Sequence, residues 1–367
     1  LLSLFLCGDV MTGRGIDQAL PHPAPPGLHE SYVHDARDYV ALAEERNGPI
    51  RKPVGYSEIW GDALAALEQA APDVRLINLE TSLTTSEQWW PDKGIHYRMH
   101  PDNAACLTAA RIGCCALANN HVLDWGYPGL TETLTTLRRL GIATAGLGED
   151  LEAAQRPAVL DAGAGRRVVV FSFGDVSSGI PPAWAAGMNR PGVDLLPDLS
   201  PITARRLGNR VAAIKREGDV VIASIHWGEN WGYAVPRAQQ DFAHALIDEA
   251  GVDLVHGHSS HHPRGIEVHH GHLILHGCGD FLNDYEGILG HGDFRPDLAL
   301  MYLASVDPAD GRLDSLRMLP MQLRQLRPQR ASLRDAEWLR GVLDREGRRL
   351  GTHVELMADG TIGLEWR

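Results

Sequence analysis

Cysteine is scarce in this chain. There are five, with no CxxC pair, and Cys114 and Cys115 sit side by side in an apolar run. An odd, unpatterned set excludes a disulfide framework and a cysteine-type structural zinc site, so Cys7, Cys106, Cys114, Cys115 and Cys278 are expected to be buried free thiols. That usage favours a reducing compartment. Basic residues are also in deficit: 34 Lys and Arg stand against 47 Asp and Glu, a net charge of −13. A nucleic-acid partner would need a basic face to meet phosphate, so none is expected. Broad attraction to anionic membranes is excluded on the same ground. An anionic substrate is admitted only where a metal or local cations reverse the field. No apolar run reaches the ~18–20 residues that span a bilayer, so no membrane segment is expected in this chain. Residues 1–6 are apolar but short and lack a basic flank, which suits a buried strand better than a signal peptide. A cytoplasmic location is the expectation; loss of an N-terminal segment would allow an extracellular or membrane-anchored form. Nucleotide binding fails at the first strand, because Gly8-Asp9-Val10-Met11-Thr12-Gly13 is not GxGxxG and no Walker sequence is present.

What is present is an alternation of short apolar strands with amphipathic helices, the pattern of an α/β fold. Strands are expected over 2–9, 74–79, 114–118, 220–226, 253–256, 266–269 and 273–277. Residues 159–161 and 168–173 read as a hairpin. Helices are expected over 57–71, from Pro128 to Leu140, and over 203–216, 237–250 and 334–348. Asp102 is placed to cap a further short helix. Residues 298–305 and 313–319 read as a late hairpin, and a final one turns at Asp359-Gly360. Residues 13–55 and 177–200, rich in Pro and Gly, read as long loops. No repeat or low-complexity linker divides the chain. The expected division is a domain over 1–320, with a C-terminal helix and hairpin over 321–367 packing on it.

The placement of polar residues carries the chemical information. Apolar strands lead in turn to Asp9, to Glu80, to Asn119-Asn120-His121, to His226, and to His256-Gly257-His258 with His261 beyond. The carboxyl ends of strands are where α/β sheets build their sites. Carboxylates, imidazoles and an amide oxygen suit Zn, Mn or Fe rather than an all-oxygen calcium site. One or two divalent transition metals are therefore expected, in a site able to activate water near neutral pH.

Five segments occur in a telling order: Gly8-Asp9-Val10-Met11, Asn78-Leu79-Glu80-Thr81, Ala118-Asn119-Asn120-His121, His226-Trp227-Gly228 and Gly257-His258-x-x-His261. Together they resemble the CapA/PgsA family of poly-γ-glutamate capsule-synthesis proteins, over roughly residues 3–285. That family looks like a branch of the calcineurin-like metallophosphoesterases. The resemblance implies a sandwich of β-sheets flanked by helices. It implies metal ligation by Asp9, Asn120, His226, His258 and His261, with Glu80 where a bridging aspartate usually stands. It gives His121 the role of contacting the leaving-group oxygen or the phosphate. The chain departs from the phosphoesterase pattern at Met11, where a histidine ligand is usual, at Glu80, and in GHxxH for GHxH. The metal count therefore stays at one or two.

Other residues are assigned by position. Asp124, three residues after His121, is placed to hold its ring, and Arg14 to meet an anionic substrate. Asp280 and Asn283 follow an apolar strand and are placed to line the pocket. Trp227, Trp231 and Tyr233 read either as core or as an apolar wall. Eight of the 18 histidines lie between His256 and His276. Of these, His262, His269, His270 and His272 read as a solvated hairpin, His256 as support and His276 as packed. Two functions compete. One is a metal-dependent hydrolase, with activated water acting on a small phosphoester or γ-glutamyl substrate. The other is a non-catalytic subunit of capsule synthesis or export that binds the polymer, against which the net charge of −13 counts.

Overall fold

A computed structural model describes residues 1–288 and 290–366. Two sheets face each other, with helices on both outer sides. The larger has ten strands, eight of them in the order Thr352–Leu356, Ile362–Trp366, Leu313–Arg324, Leu298–Val306, Leu2–Val10, Val74–Leu79, Cys114–Ala116, Ala143–Ala145. Its last four strands run parallel. The smaller has six, ordered Ile266–His269, His272–Leu275, Leu254–His258, Val220–His226, Arg167–Gly174, Ala158–Asp161. Its four inner strands are parallel and both edges antiparallel. This is the expected sandwich of β-sheets flanked by helices.

The period-two alternation of the first strand explains the layering. Leu2, Leu4 and Leu6 point between the sheets, where they join Val168, Val170, Val220, Ile222 and Leu254. Phe5 and Cys7 point outward, under Trp60, Leu67 and Leu130 of the covering helices. On the far side, Val221, Ala223 and Ile225 pack against Leu207, Phe242 and Leu246. Both faces of the central strands are thus buried, which is why they read as near-continuous apolar runs. Each fully buried Leu or Phe contributes about 1.5–3 kcal/mol. All five cysteines are buried and unpaired.

The elements differ from expectation mainly at their ends. The 114–118 strand stops at Ala116, which frees residues 117–121 to turn into the site. Asp102 is not a cap. The His100 side chain accepts the Asp102 N–H, and Pro101 opens a 3₁₀ turn. The 13–55 segment contains two helices, Gly15–Ala19 and Arg37–Asn47. The Leu313–Arg324 strand runs straight through position 320, and Ile362–Trp366 pairs with it. Among the described residues, no helix is long and apolar enough to cross a membrane.

Candidate metal centre

The site lies where the carboxyl ends of both sheets' parallel strands meet. Asp9, next to last in the first strand, is directly opposite Asn78 on one side and Asp280 on the other. This approach requires a residue without a side chain just before Asp9. A Cβ on Gly8 would lie 1.6 Å from the Gly279 carbonyl oxygen. Gly279 itself has φ +77, a left-handed conformation that glycine adopts without strain. Asn78 Nδ2 donates to Asp9 Oδ1 at 2.7 Å and to Glu80 Oε2 at 3.3 Å. Ser259 N–H donates to Asp9 Oδ2 at 3.3 Å.

The smaller sheet supplies imidazoles. His226 and His258 are paired residues on parallel neighbours, and their Nδ1 atoms are 2.8 Å apart. Their other nitrogens are held from behind. His226 Nε2 meets Asn120 Oδ1 at 3.1 Å, and His258 Nε2 meets Ser224 Oγ at 2.9 Å. With a proton on each Nε2, both Nδ1 lone pairs face the same point, an arrangement in which outer hydrogen bonds fix the tautomer of metal-binding histidines. On the other flank, His261 Nδ1 bonds Asp280 Oδ1 at 2.8 Å, and Asn283 Nδ2 donates to Asp280 Oδ2 at 2.8 Å.

Two ligand groups result, Asp9–His226–His258 and Asp9–His261–Asp280, each with donor atoms within 4.8 Å of one another. Asp9 is common to both. Glu80 is in neither; its Oε1 lies 3.7 Å from His121 Nε2 and 3.9 Å from His226 Nε2. Asp280, which sequence reasoning placed only in the pocket lining, stands among the ligand candidates. A signal for it was present: Cys7-Gly8-Asp9 and Cys278-Gly279-Asp280 repeat the same tripeptide at two adjacent strand ends. Met11, at the position of the missing histidine, is buried, and its sulfur is 3.7 Å from the Tyr285 hydroxyl.

Electrostatics tests whether a cation fits. Burial, then the charge of Asp280, pushes Asp9 up to about 7. Burial, then Asp9 and Asp280, pushes Glu80 well above the carboxylate range. Burial also drives His226 and His258 well below the usual imidazole range, with neighbouring histidines adding to it. Against burial, Asp280 raises His261. Packed carboxylates that resist ionising, next to imidazoles that resist protonation, are what a divalent cation would relieve. The donor set fits a transition metal.

Beside these groups, His121 Nδ1 is 2.6 Å from Asp124 Oδ2 and 2.9 Å from Lys93 Nζ. Lys93 also pairs with Asp124 Oδ1 at 2.6 Å. Asp124 is raised to about 6 by burial, against the pull of Lys93. Burial and then Lys93 and Arg14 hold His121 well below its ordinary value. Lys93 carries no local signal of this role, since it comes from the 84–97 loop rather than a strand end. Arg14 is fully engaged: it pairs with Asp284 at 2.5 Å and Glu30 at 2.8 Å, and its guanidinium lies 3.7 Å from the centre of the Tyr39 ring. A 1060 Å³ cleft reaches outward from His261, lined by Arg14, Tyr97, Trp231, Asn283 and Tyr285.

Some surrounding residues take places other than those read from sequence. Trp227 is core, its Nε1 donating to the His276 carbonyl at 3.0 Å, whereas Trp231 lines the cleft and stacks on His291. His262 is not on a solvated hairpin. It precedes that hairpin and is buried against Trp231, Tyr233 and Phe294. His256 Nε2 bonds the Cys7 carbonyl at 2.7 Å, tying one sheet to the other.

The family model "Bacterial capsule synthesis protein PGA_cap" matches residues 3–285. A probable polyglutamine synthesis accessory protein of Mycobacterium tuberculosis is 52% identical over 363 residues, covering 99% of this chain and 95% of that protein. The PGA biosynthesis protein CapA of Bacillus subtilis is 25% identical over 287 residues, covering 77% of this chain and 64% of that one. A crystal structure of a novel phosphatase from Mycoplasma pneumoniae aligns at a TM-score of 0.46 and 10% identity, over 88% of this chain and 93% of that chain.

Proposed function

Because the chain belongs to the bacterial capsule synthesis protein PGA_cap family, we propose that it is a metal-dependent hydrolase acting on a phosphoester or a γ-glutamyl amide. The observation that carries this reading is the sharing of Asp9 between two buried ligand groups. Asp9, His226 and His258 would hold one divalent transition metal, with Asn120 fixing the His226 ring through Nε2. Asp9, His261 and Asp280 offer a second position. Glu80 stands between His121 and His226 and adds negative charge to the nest. The metal, when bound, supplies Lewis acidity, lowering the pKa of water and offsetting charge on the substrate.

The protein's own side chains do the rest. Asp124 accepts the Nδ1 proton of His121, which turns Nε2 toward the nest. His121 then moves a proton to or from the leaving atom at that nitrogen. Lys93 keeps Asp124 ionised and adds positive charge at the rim. Arg14, already bound by two carboxylates, acts as a positioning residue: it fixes Asp284 and the Tyr39 and Tyr97 rings that shape the cleft. The free thiols favour a reducing compartment such as the cytoplasm for this activity.

A second reading draws on the names of the relatives, which describe an accessory protein and biosynthesis proteins. In it the cleft holds a segment of γ-linked polymer without cleaving it. Metal analysis of purified protein, paired with turnover of phosphodiesters, phosphomonoesters and γ-glutamyl amides, separates the two. The hydrolase reading expects bound transition metal and turnover of one class. Metal with no turnover on any class supports polymer binding, and no metal after metal-replete expression refutes the site.

A further inference from the structure

A second constellation of histidines lies away from the cleft. The helix Arg237–Asp248 and the hairpin of Ile266–His269 and His272–Leu275 meet at the outer edge of the smaller sheet. His269 Nε2 is 2.9 and 3.0 Å from the two Asp248 oxygens, and His270 Nδ1 is 2.8 Å from Asp248 Oδ1. Donor atoms of these three residues all lie within 4.8 Å of one another. The hairpin turn sits at the amino end of Leu254–His258, since Leu254 is opposite Leu273. The five residues from Leu254 to His258, four steps along the strand, alone put roughly 13 Å between this corner and the cleft.

Three features of this corner go beyond surface pairing. The first is the turn. His269 pairs with His272, leaving His270 and Gly271 as a two-residue loop with φ of 51° and 91°. Such loops select Asn-Gly or Asp-Gly, because both residues must adopt positive φ. A histidine there is an unusual choice, and it directs its ring at Asp248. The second is charge. Asp248 is the last residue of its helix, where the helix dipole is negative, and the last turn contains no basic residue. A carboxylate is disfavoured at that end and a cation favoured. The third is support. The His244 ring stacks on His269 with centroids 3.9 Å apart and planes 6° apart. His244 Nε2 is held by Glu267 Oε1 at 2.6 Å, and Glu267 Oε2 by buried His276 at 2.9 Å. The ring of His269 is thus backed by a stacked imidazole that is itself held by hydrogen bonds, which restricts its rotation. The positive charge of Arg312, packed over Gly271, is answered by Asp310 at 3.5 Å.

We propose that Asp248, His269 and His270 form a second metal site, taking a borderline divalent cation of the zinc, nickel or copper class. Two imidazoles and one carboxylate with open positions suit such ions better than calcium or magnesium. The bound cation clamps the end of the helix to the hairpin, independently of chemistry in the cleft.

The test uses the whole protein and Zn²⁺. Histidines are acylated with diethylpyrocarbonate, and labelling of each is followed by peptide mass spectrometry. The His270 side chain is 70% exposed, which makes it reactive without metal. At free Zn²⁺ roughly ten times the dissociation constant, labelling of His269 and His270 should slow about tenfold. His270→Asn keeps a residue suited to the left-handed turn and should abolish the protection of His269. Asp248→Asn should do the same from the helix side. The site is refuted if Zn²⁺ leaves both labelling rates unchanged, or if both variants protect His269 as well as the wild type does.

Discussion

The cleft and the hairpin corner are both rich in histidine and carboxylate, yet their physics differs. In the cleft, Asp9, Asp280, His226 and His258 are almost wholly buried. Charges there act on one another with little solvent screening, and Asp9, Glu80, His226 and His258 are driven away from their charged forms, burial being the main cause. At the corner, Asp248 is lowered by His269 and His270 in spite of burial, and water reaches the group. The same residue types thus form a buried nest in one place and a partly exposed hydrogen-bonded group in the other. The nest is held together by the fold; the corner can hold itself together. Histidine count is therefore a poor guide to function, and the partners of each ring are a good one.

Perturbing the nest should have the largest effect. Asp9→Asn removes the ligand shared by both groups, and it should abolish cleft metal, read by elemental analysis, together with turnover. Full metal and full activity in that variant would refute the assignment. His121→Ala should leave metal content unchanged and lower kcat by about 10²–10⁴. An equal loss of metal would make His121 a ligand instead. Ser224→Ala removes the hydroxyl behind His258 and should weaken cleft metal affinity by roughly 10–100-fold, measured by competition with a chelator. The smallest effect belongs to the corner: His270→Asn should leave turnover within error of wild type. A change there would couple the two regions and remove the distinction between them.

Much of the frame was legible because it is written in local pattern. The strand from Leu2 reads as a strand since both its faces are buried, and its end marks Asp9 without any knowledge of topology. Asn120, His121, His226 and His258 are marked as candidates in the same way. What could not be read locally depends on register between distant segments. Asp280 becomes a ligand candidate only because its strand lies against Asp9, although the repeated Cys-Gly-Asp tripeptide pointed there. Lys93 comes from a loop whose path nothing in its own sequence dictates. Arg14 was identifiable as a charge near Asp9, but its two carboxylate partners lie at positions 30 and 284. His262 looked like its exposed neighbours because adjacent histidines carry no mark of which one turns inward.

The close packing of Gly8 against Gly279 has a consequence for how the protein is made. The two halves of the Asp9 nest come from opposite parts of the chain, and the first strand also pairs with Leu298–Val306. During synthesis the Leu2–Val10 strand must wait until Asp280–Leu282 and Leu298–Val306 have been made before its neighbours on that side arrive. Contacts so distant in sequence form slowly, and the apolar edge stays uncovered meanwhile. The Asp9–His261–Asp280 position is therefore completed only once residue 280 has joined the fold, whereas the residues of the Asp9–His226–His258 group all precede it.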